Sequence, residues 1–187
     1  MTTDHENMAQ KLQRWGDFAA QYRLPAWESI PDFGLYMDQV VVLLQQYLDF
    51  IPAPAEGKDS FVTAATINNY VRLKLMPPPV KKKYGRVHLG YLIMILTLKL
   101  SLSISEIRQL LPMGLEEAEV QSLYGDFCSR FDRTRSHFAQ KLCDAAQQPA
   151  GAQLVMEYAL SAACYTLLAG KLIRLEEETP AADFIKS

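Results

Sequence analysis

Three consecutive prolines, Pro77-Pro78-Pro79, divide this chain at a point where the sequence on both sides has a helical pattern. Proline lacks the amide hydrogen a helix needs and clashes with the preceding turn, and the residue before it is driven to extended backbone, so a helix arriving from the N-terminal side must end there. The arriving helix is about Ala64 to Leu75: Ala64, Ile67, Val71 and Leu75 recur at i, i+3, i+7 and i+11 and form one apolar stripe. Ser60 or Thr63 can cap it. The departing segment, Val80–Arg86, is short and basic and contains Gly85, which suits a small β-ribbon or a loop. A strongly apolar helix follows at His88–Leu100. Then Ser103-Ile-Ser-Glu106, with the Ser-x-x-Glu spacing of a capping box, opens a short helix through Leu111, which Pro112 and Gly114 break.

The remainder is helical as well. Met8, Leu12, Trp15 and Phe18 give the first 24 residues a weak helical spacing, and Pro25 and Pro31 bracket a loop around Trp27. Leu35–Phe50 places Leu35, Val40, Leu43, Leu44, Tyr47 and Leu48 largely on one face, and Pro52, Pro54 and Gly57 stop it. Leu115–Gln147 carries Val120, Leu123, Tyr124, Phe127, Phe131, Phe138 and Leu142 at helical spacing, and a last helix runs from about Ala152 to Glu178. Strand signals are nearly absent. The expectation is an all-α chain with at most one small β-hairpin, organised as an N-terminal extension (1–34), a core unit (35–111) and a C-terminal helical region (112–187). The apolar runs Tyr91–Leu98 and Ala159–Ala169 are shorter than the roughly 20 residues that span a bilayer. They read as buried helices, with no membrane partner.

Charge is uneven. Between Ser60 and Gly90 lie Arg72, Lys74, Lys81, Lys82, Lys83 and Arg86 with no acidic residue, a local charge of +6 in a chain whose net charge is -2, leaving -8 for the rest. A basic island in an acidic protein is a candidate footprint for a polyanion, although a lysine run is more commonly a solvated face. Cys128, Cys143 and Cys164 are odd in number and have no metal-ligand spacing. That points to reduced, mostly buried thiols, a cytoplasmic setting, no metal and no cofactor. Met1 to Gln13 is polar, without the apolar segment of a secretory signal. The histidines, His5, His88 and His137, are scattered, no phosphate loop or nucleophile motif is present, and Glu116, Glu117 and Glu119 suit an ordinary helix start. No enzyme is expected.

The segment from Thr63 to Leu111 resembles the MerR pattern of winged helix-turn-helix proteins. The matching residues are Ile67 and Tyr70 on a recognition helix, a Leu75-Met76-Pro77-Pro78 stop, a basic wing ending in Tyr84, a helix opening with His88-Leu89, and Ser103-Ile104-x-Glu106-Ile107-x-x-Leu110-Leu111. Leu24-Pro25-x-Trp27, Tyr36-Met-Asp-Gln-Val40, Ile67-Asn-Asn-Tyr70 and Pro77-Pro-Pro-Val-Lys-Lys-Lys-Tyr84 resemble, more closely, a bacterial family catalogued only as a domain of unknown function. The first resemblance implies a winged-helix core that binds DNA; the second supplies no activity.

The residues themselves suit the same chemistry. Asparagine can bond adenine bidentately and arginine guanine, and both edges are read from the major groove. Asn68, Asn69 and Arg72 supply those groups on one short helix. Asn69 lies about 200° and Arg72 about 140° around the helix from Ile67, off the apolar stripe, whereas Asn68 lies about 100° away. Thr63 and Thr66 are placed to bond phosphate, Tyr70 either packs in the core or bonds a phosphate, and Lys81, Lys82, Lys83, Tyr84 and Arg86 form the wing that follows the backbone. A standard helix-turn-helix has a turn of three or four residues, but here Phe50 to Val62 separates the two helices. The expectation is a transcription regulator that binds double-stranded DNA as a homodimer, with the helices after Leu115 forming the dimer or a pocket for a small-molecule effector. The alternative is a protein-interaction module on the same scaffold.

Overall fold

The computed structural model describes residues 2–51, 61–148 and 151–178. Among these residues seven α-helices follow in order: α1 (Thr2–Gln21), α2 (Met37–Tyr47), α3 (Ala64–Arg72), α4 (Arg86–Leu98), α5 (Ile104–Leu110), α6 (Glu117–Ala146) and α7 (Ala152–Glu178), with a 3-10 turn at Trp27–Ser29. Among the described residues there is no extended strand, only the isolated antiparallel bridges Leu35–Tyr84 and Val80–Lys83. The all-α expectation therefore holds. The expected stop at Pro52, Pro54 and Gly57, the Ser60 cap and Pro149 lie outside the described residues.

α4 is the centre because it has no polar face to offer water. Every residue from His88 to Leu96 is buried. α2 and α6 pack on it, and Gly90 gives it a notch: a Cβ there would sit 2.9 Å from the Trp27 indole. The ring in that notch also meets Tyr124 of α6 at 5.7 Å between centroids. Burying an indole of this size contributes roughly 4–6 kcal/mol of transfer free energy. The loop carrying Trp27 is fastened at both ends. The Tyr124 hydroxyl donates to the Pro25 carbonyl at 2.8 Å, and Arg86 Nε donates to the Ile30 carbonyl at 2.8 Å.

α1 runs antiparallel along α6. Gly16 lies against Leu142 and Cys143, Trp15 meets Phe138 edge-on at 5.4 Å, and the buried Arg135 donates through Nη1 to the carbonyls of Ala19 and Ala20 at 2.6 and 2.7 Å. That guanidinium satisfies carbonyls that the last turn of α1 leaves without helical partners. Tyr22, Phe50 and Phe131 close a ring cluster with centroids 4.8–6.0 Å apart, joining the α1–α6 pair to the end of α2. One apolar core extends from Leu24 to Ile173, so the helices after Leu111 share packing with the central unit, while Leu12 and Ala19 of α1 pack with Ala139 and Leu142 of α6 in a second, smaller cluster.

α7 departs from the expectation. Tyr91–Leu96 is buried as its composition demands, but Ala159–Ala169 is bare: Leu160, Tyr165, Leu167 and Leu168 are 54–73% exposed. α1 already covers α6, and α7 meets the described remainder through Tyr158, which donates to the Lys141 carbonyl, and through Gly170 and Ile173 near α5, with Ala169 against the core. By length and composition alone Ala152–Glu176 is sufficient to cross a membrane.

Candidate nucleic-acid interface

The α3 helix starts as its sequence says. Thr63 is the N-cap, its hydroxyl accepting from the Thr66 amide at 3.1 Å and lying 2.9 Å from the Thr66 hydroxyl. Both threonines take part in the cap, and both are half-buried. The buried residues of α3 are Ile67 and Tyr70, while Ala64 and Val71 are half-buried. The core-facing side is thus centred between Ile67 and Tyr70. Measured from that centre, Ala65 and Arg72 lie about 170° away and Asn68 and Asn69 about 130° away on either flank. Asn68 is exposed, whereas Asn69 is half-buried and accepts from Arg72 Nη2 at 2.7 Å. The outward face is therefore Ala65, Asn68 and Arg72 with Asn69 bracing the arginine, a rotation of the expected face toward Asn68.

The end of α3 is a Schellman motif. The Lys74 amide donates to the Val71 carbonyl and the Leu75 amide to the Tyr70 carbonyl, both at 3.0 Å, and Lys74 has φ 54°. The left-handed position after such a helix is usually glycine. Beside it, Arg108 of α5 donates through Nη2 to the Leu73 carbonyl at 2.7 Å, bringing a second charge to the negative end of the α3 dipole. Sequence reasoning counted Lys74 only in the basic island and passed over Arg108.

The basic segment is a minimal hairpin. Val80 and Lys83 exchange backbone hydrogen bonds at 2.9 and 3.0 Å around Lys81 and Lys82, whose φ values are 51° and 63°. Positive φ at both central residues is the pattern of a tight two-residue hairpin turn, a place for Asn-Gly. Lys81, Lys82 and Lys83 are exposed. The base of the hairpin is clamped: Tyr84 and Leu35 exchange backbone hydrogen bonds at 2.9 Å, and the Gly85 amide donates to His88 Nδ1 at 3.0 Å. That bond leaves the proton on His88 Nε2, 3.1 Å from the Pro78 carbonyl that accepts it. His88 thus positions the proline stop against the hairpin.

Three expected contact residues are placed elsewhere. Tyr70 is 4% and Tyr84 3% exposed, and burial raises both hydroxyl pKa values. Tyr84 packs edge-on against His88 at 5.6 Å. Arg86 is held by the Ile30 carbonyl and by Asp32 at 3.9 Å, over the Trp27 ring. These side chains build the frame. What remains outward is Asn68, Arg72, Lys74 and Lys81–Lys83, with no acidic residue anywhere from Phe61 to Leu98.

Two further features bear on function. A cavity of about 320 Å³ opens between α1 and α6, walled by Trp15, Phe18, Tyr22, Phe50, Phe131 and Phe138. The cysteines form no disulfide, and burial pushes the Cys128 thiol up, toward an unreactive protonated state. Among the described residues no group of three or more His, Cys, Asp or Glu is placed to hold a metal ion.

The family described as Domain of unknown function (DUF1836) matches residues 25–127, from the Trp27 loop into the first third of α6. No curated protein and no solved structure matches the chain.

Proposed function

The chain belongs to the DUF1836 family, and from that premise we propose that it is a cytoplasmic transcription regulator that binds duplex DNA on a MerR-like winged-helix frame. In this reading α3 lies in the major groove and the Lys81–Lys83 hairpin follows the phosphate backbone. The observation that carries it is conformational. Among the described residues, those with positive φ other than glycine are Lys74, Lys81 and Lys82. A side chain in that region costs roughly 1–2 kcal/mol that glycine avoids. Three lysines where glycine would fit better, one just past the end of α3 and two at the tip of the hairpin, mark side chains kept for their charge. Lysines so placed would neutralise phosphates and release counterions, and Arg72 and Asn68 would reach base edges. The chemistry is binding, with no catalytic step.

The regulator acts as a homodimer, since duplex readers commonly present two recognition helices to successive half-sites. Its effector would be a small apolar compound entering the cavity between α1 and α6, whose volume is within the range of ligand pockets. A protein-interaction module on the same frame is the second reading, favoured by the bare surface of α7.

The deciding experiment is binding of random duplex DNA across a salt series. The proposal expects measurable affinity at low salt that falls steeply as salt rises, and the interaction module expects none. Selection of preferred sites from random duplexes then tests the reading face. Arg72→Ala and Asn68→Ala should relax preference, each at its own base pair by roughly 1–3 kcal/mol. An identical motif from wild type and both variants would remove α3 from base reading.

A further inference from the structure

The bare helix α7 has a pattern that names its own partner. Its buried residues are Gly170 and Ile173, while Leu160, Leu167, Leu168 and Leu172 are 53–71% exposed. Cys164, also exposed, lies nine residues from Ile173 and so about 180° around the helix, directly away from the core. Within about 60° of Cys164 lie Leu160, Leu167 and Leu168 with the half-buried Ser161, flanked by Glu157 and Lys171 and, farther along the helix, by Gln153 and Leu175. This is an apolar stripe with an acid toward one end and a base toward the other.

The spacing is symmetric about the cysteine. Leu160 and Leu168 each lie four residues from Cys164, and Glu157 and Lys171 each lie seven. Two such helices, antiparallel about a two-fold axis at Cys164, set each Glu157 against the other copy's Lys171 and each Leu160 against the other's Leu168. A parallel pair would stack Glu157 on Glu157 and Lys171 on Lys171. A bilayer fits the same helix less well. The uncharged stretch between Glu157 and Lys171 is Tyr158–Gly170, about 20 Å of helix against a hydrocarbon core of about 30 Å.

We propose that α7 pairs with α7 of a second copy in antiparallel orientation, with Cys164 at the two-fold axis and Glu157 facing Lys171 twice across the interface. Such an arrangement is self-complementary and closes on itself. It covers the face that α7 presents away from its own core. The inference rests on the dimeric reading above for its stoichiometry and gives that dimer an address.

The test uses the full chain without DNA, so its failure leaves the DNA-binding reading standing. A short bis-maleimide should join two wild-type chains through Cys164, and Cys164→Ser should abolish the joined species. Gln153→Cys in the Cys164→Ser background should not cross-link to itself, because the two positions would be about 33 Å apart in an antiparallel pair; in a parallel pair they would meet. In sedimentation, Glu157→Lys and Lys171→Glu should each weaken the dimer by roughly tenfold or more, and the double reversal should restore it. Circular dichroism checks that each variant keeps its helix content. A monomer at micromolar concentration, self-cross-linking at position 153, failure of the double reversal to rescue, or a monomer that floats with phosphatidylcholine–phosphatidylglycerol vesicles would each overturn the proposal.

Discussion

α4 and α7 are both apolar helices, yet one is wrapped on all sides and the other is nearly bare. In α4 every residue from His88 to Leu96 is buried; in α7 the buried residues are Gly170 and Ile173. Apolar composition states that a surface must be covered and does not state by what. α4 is covered by its own chain, because the Trp27 loop, α2 and α6 converge on it. α7 follows two helices that already cover each other, and the proposed dimer would cover it with a second copy. The family match ends within α6, so the wrapped helix belongs to the shared unit and the bare one lies beyond it.

The contrast is sharpest for leucine. Leu92 of α4 is fully buried and Leu167 of α7 is 71% exposed. Leu92→Ala is expected to cost roughly 2–5 kcal/mol in chemical denaturation. Leu167→Ala, measured at concentrations where the chain is monomeric, is expected to change folding by no more than about 0.5 kcal/mol. Similar effects at both positions would mean that α7 has a covering within its own chain.

The glycines separate the helices by a smaller margin. A Cβ at Gly90 would meet the rigid Trp27 ring at 2.9 Å, so Gly90→Ala should destabilise by roughly 1–3 kcal/mol. A Cβ at Gly170 would meet only the tip of the Glu106 carboxylate at 3.0 Å, which can swing away. Alanine is the better helix former by about 1 kcal/mol, so Gly170→Ala should be neutral or mildly stabilising in thermal melts. A destabilisation at Gly170 equal to that at Gly90 would show a tight α5–α7 seam.

The smallest effect concerns that seam. The hydrogen bonds from the Ser103 hydroxyl and amide hold the Glu106 carboxyl below the usual carboxylate range, with Arg174 of α7 and Lys99 adding to it. A carboxyl with a lowered pKa in the folded chain stabilises above the usual carboxylate range, and that contribution fades as pH falls through the lowered value. Glu106→Gln should therefore lower stability slightly at neutral pH and leave acid pH nearly unchanged, which flattens the acid limb of the stability profile. An acid limb identical to wild type would remove this carboxyl from the seam.

Much of the fold was legible because local chemistry and packing agreed. The Ser103–Glu106 spacing opened α5 and the all-round apolar character of His88–Leu96 marked the central helix, whereas α3, expected to run to Leu75 against the proline stop, ends at Arg72 in its Schellman turn. The expected α3 face was rotated because the stripe was drawn through Val71, whereas Tyr70, with far more surface to bury, takes the core. Tyr84 and Arg86 read as wing residues by sequence adjacency, but the partners that hold them, His88 and the Ile30 carbonyl, lie in other segments. The left-handed lysines were not legible, because a lysine at positive φ follows no residue preference. The bare face of α7 looked buried because periodicity cannot tell an internal partner from an external one.

The central claim, that the left-handed lysines are kept for a polyanion, sets stability against affinity in one measurement. Lys74→Gly, Lys81→Gly and Lys82→Gly combined should leave folding stability unchanged or raised, since glycine accepts that backbone freely. In the same variant, affinity for random duplex DNA should fall, and the slope of log affinity against log salt should shrink by up to about 0.9 for each phosphate no longer neutralised. Unchanged affinity and slope in a variant at least as stable as wild type would contradict the account.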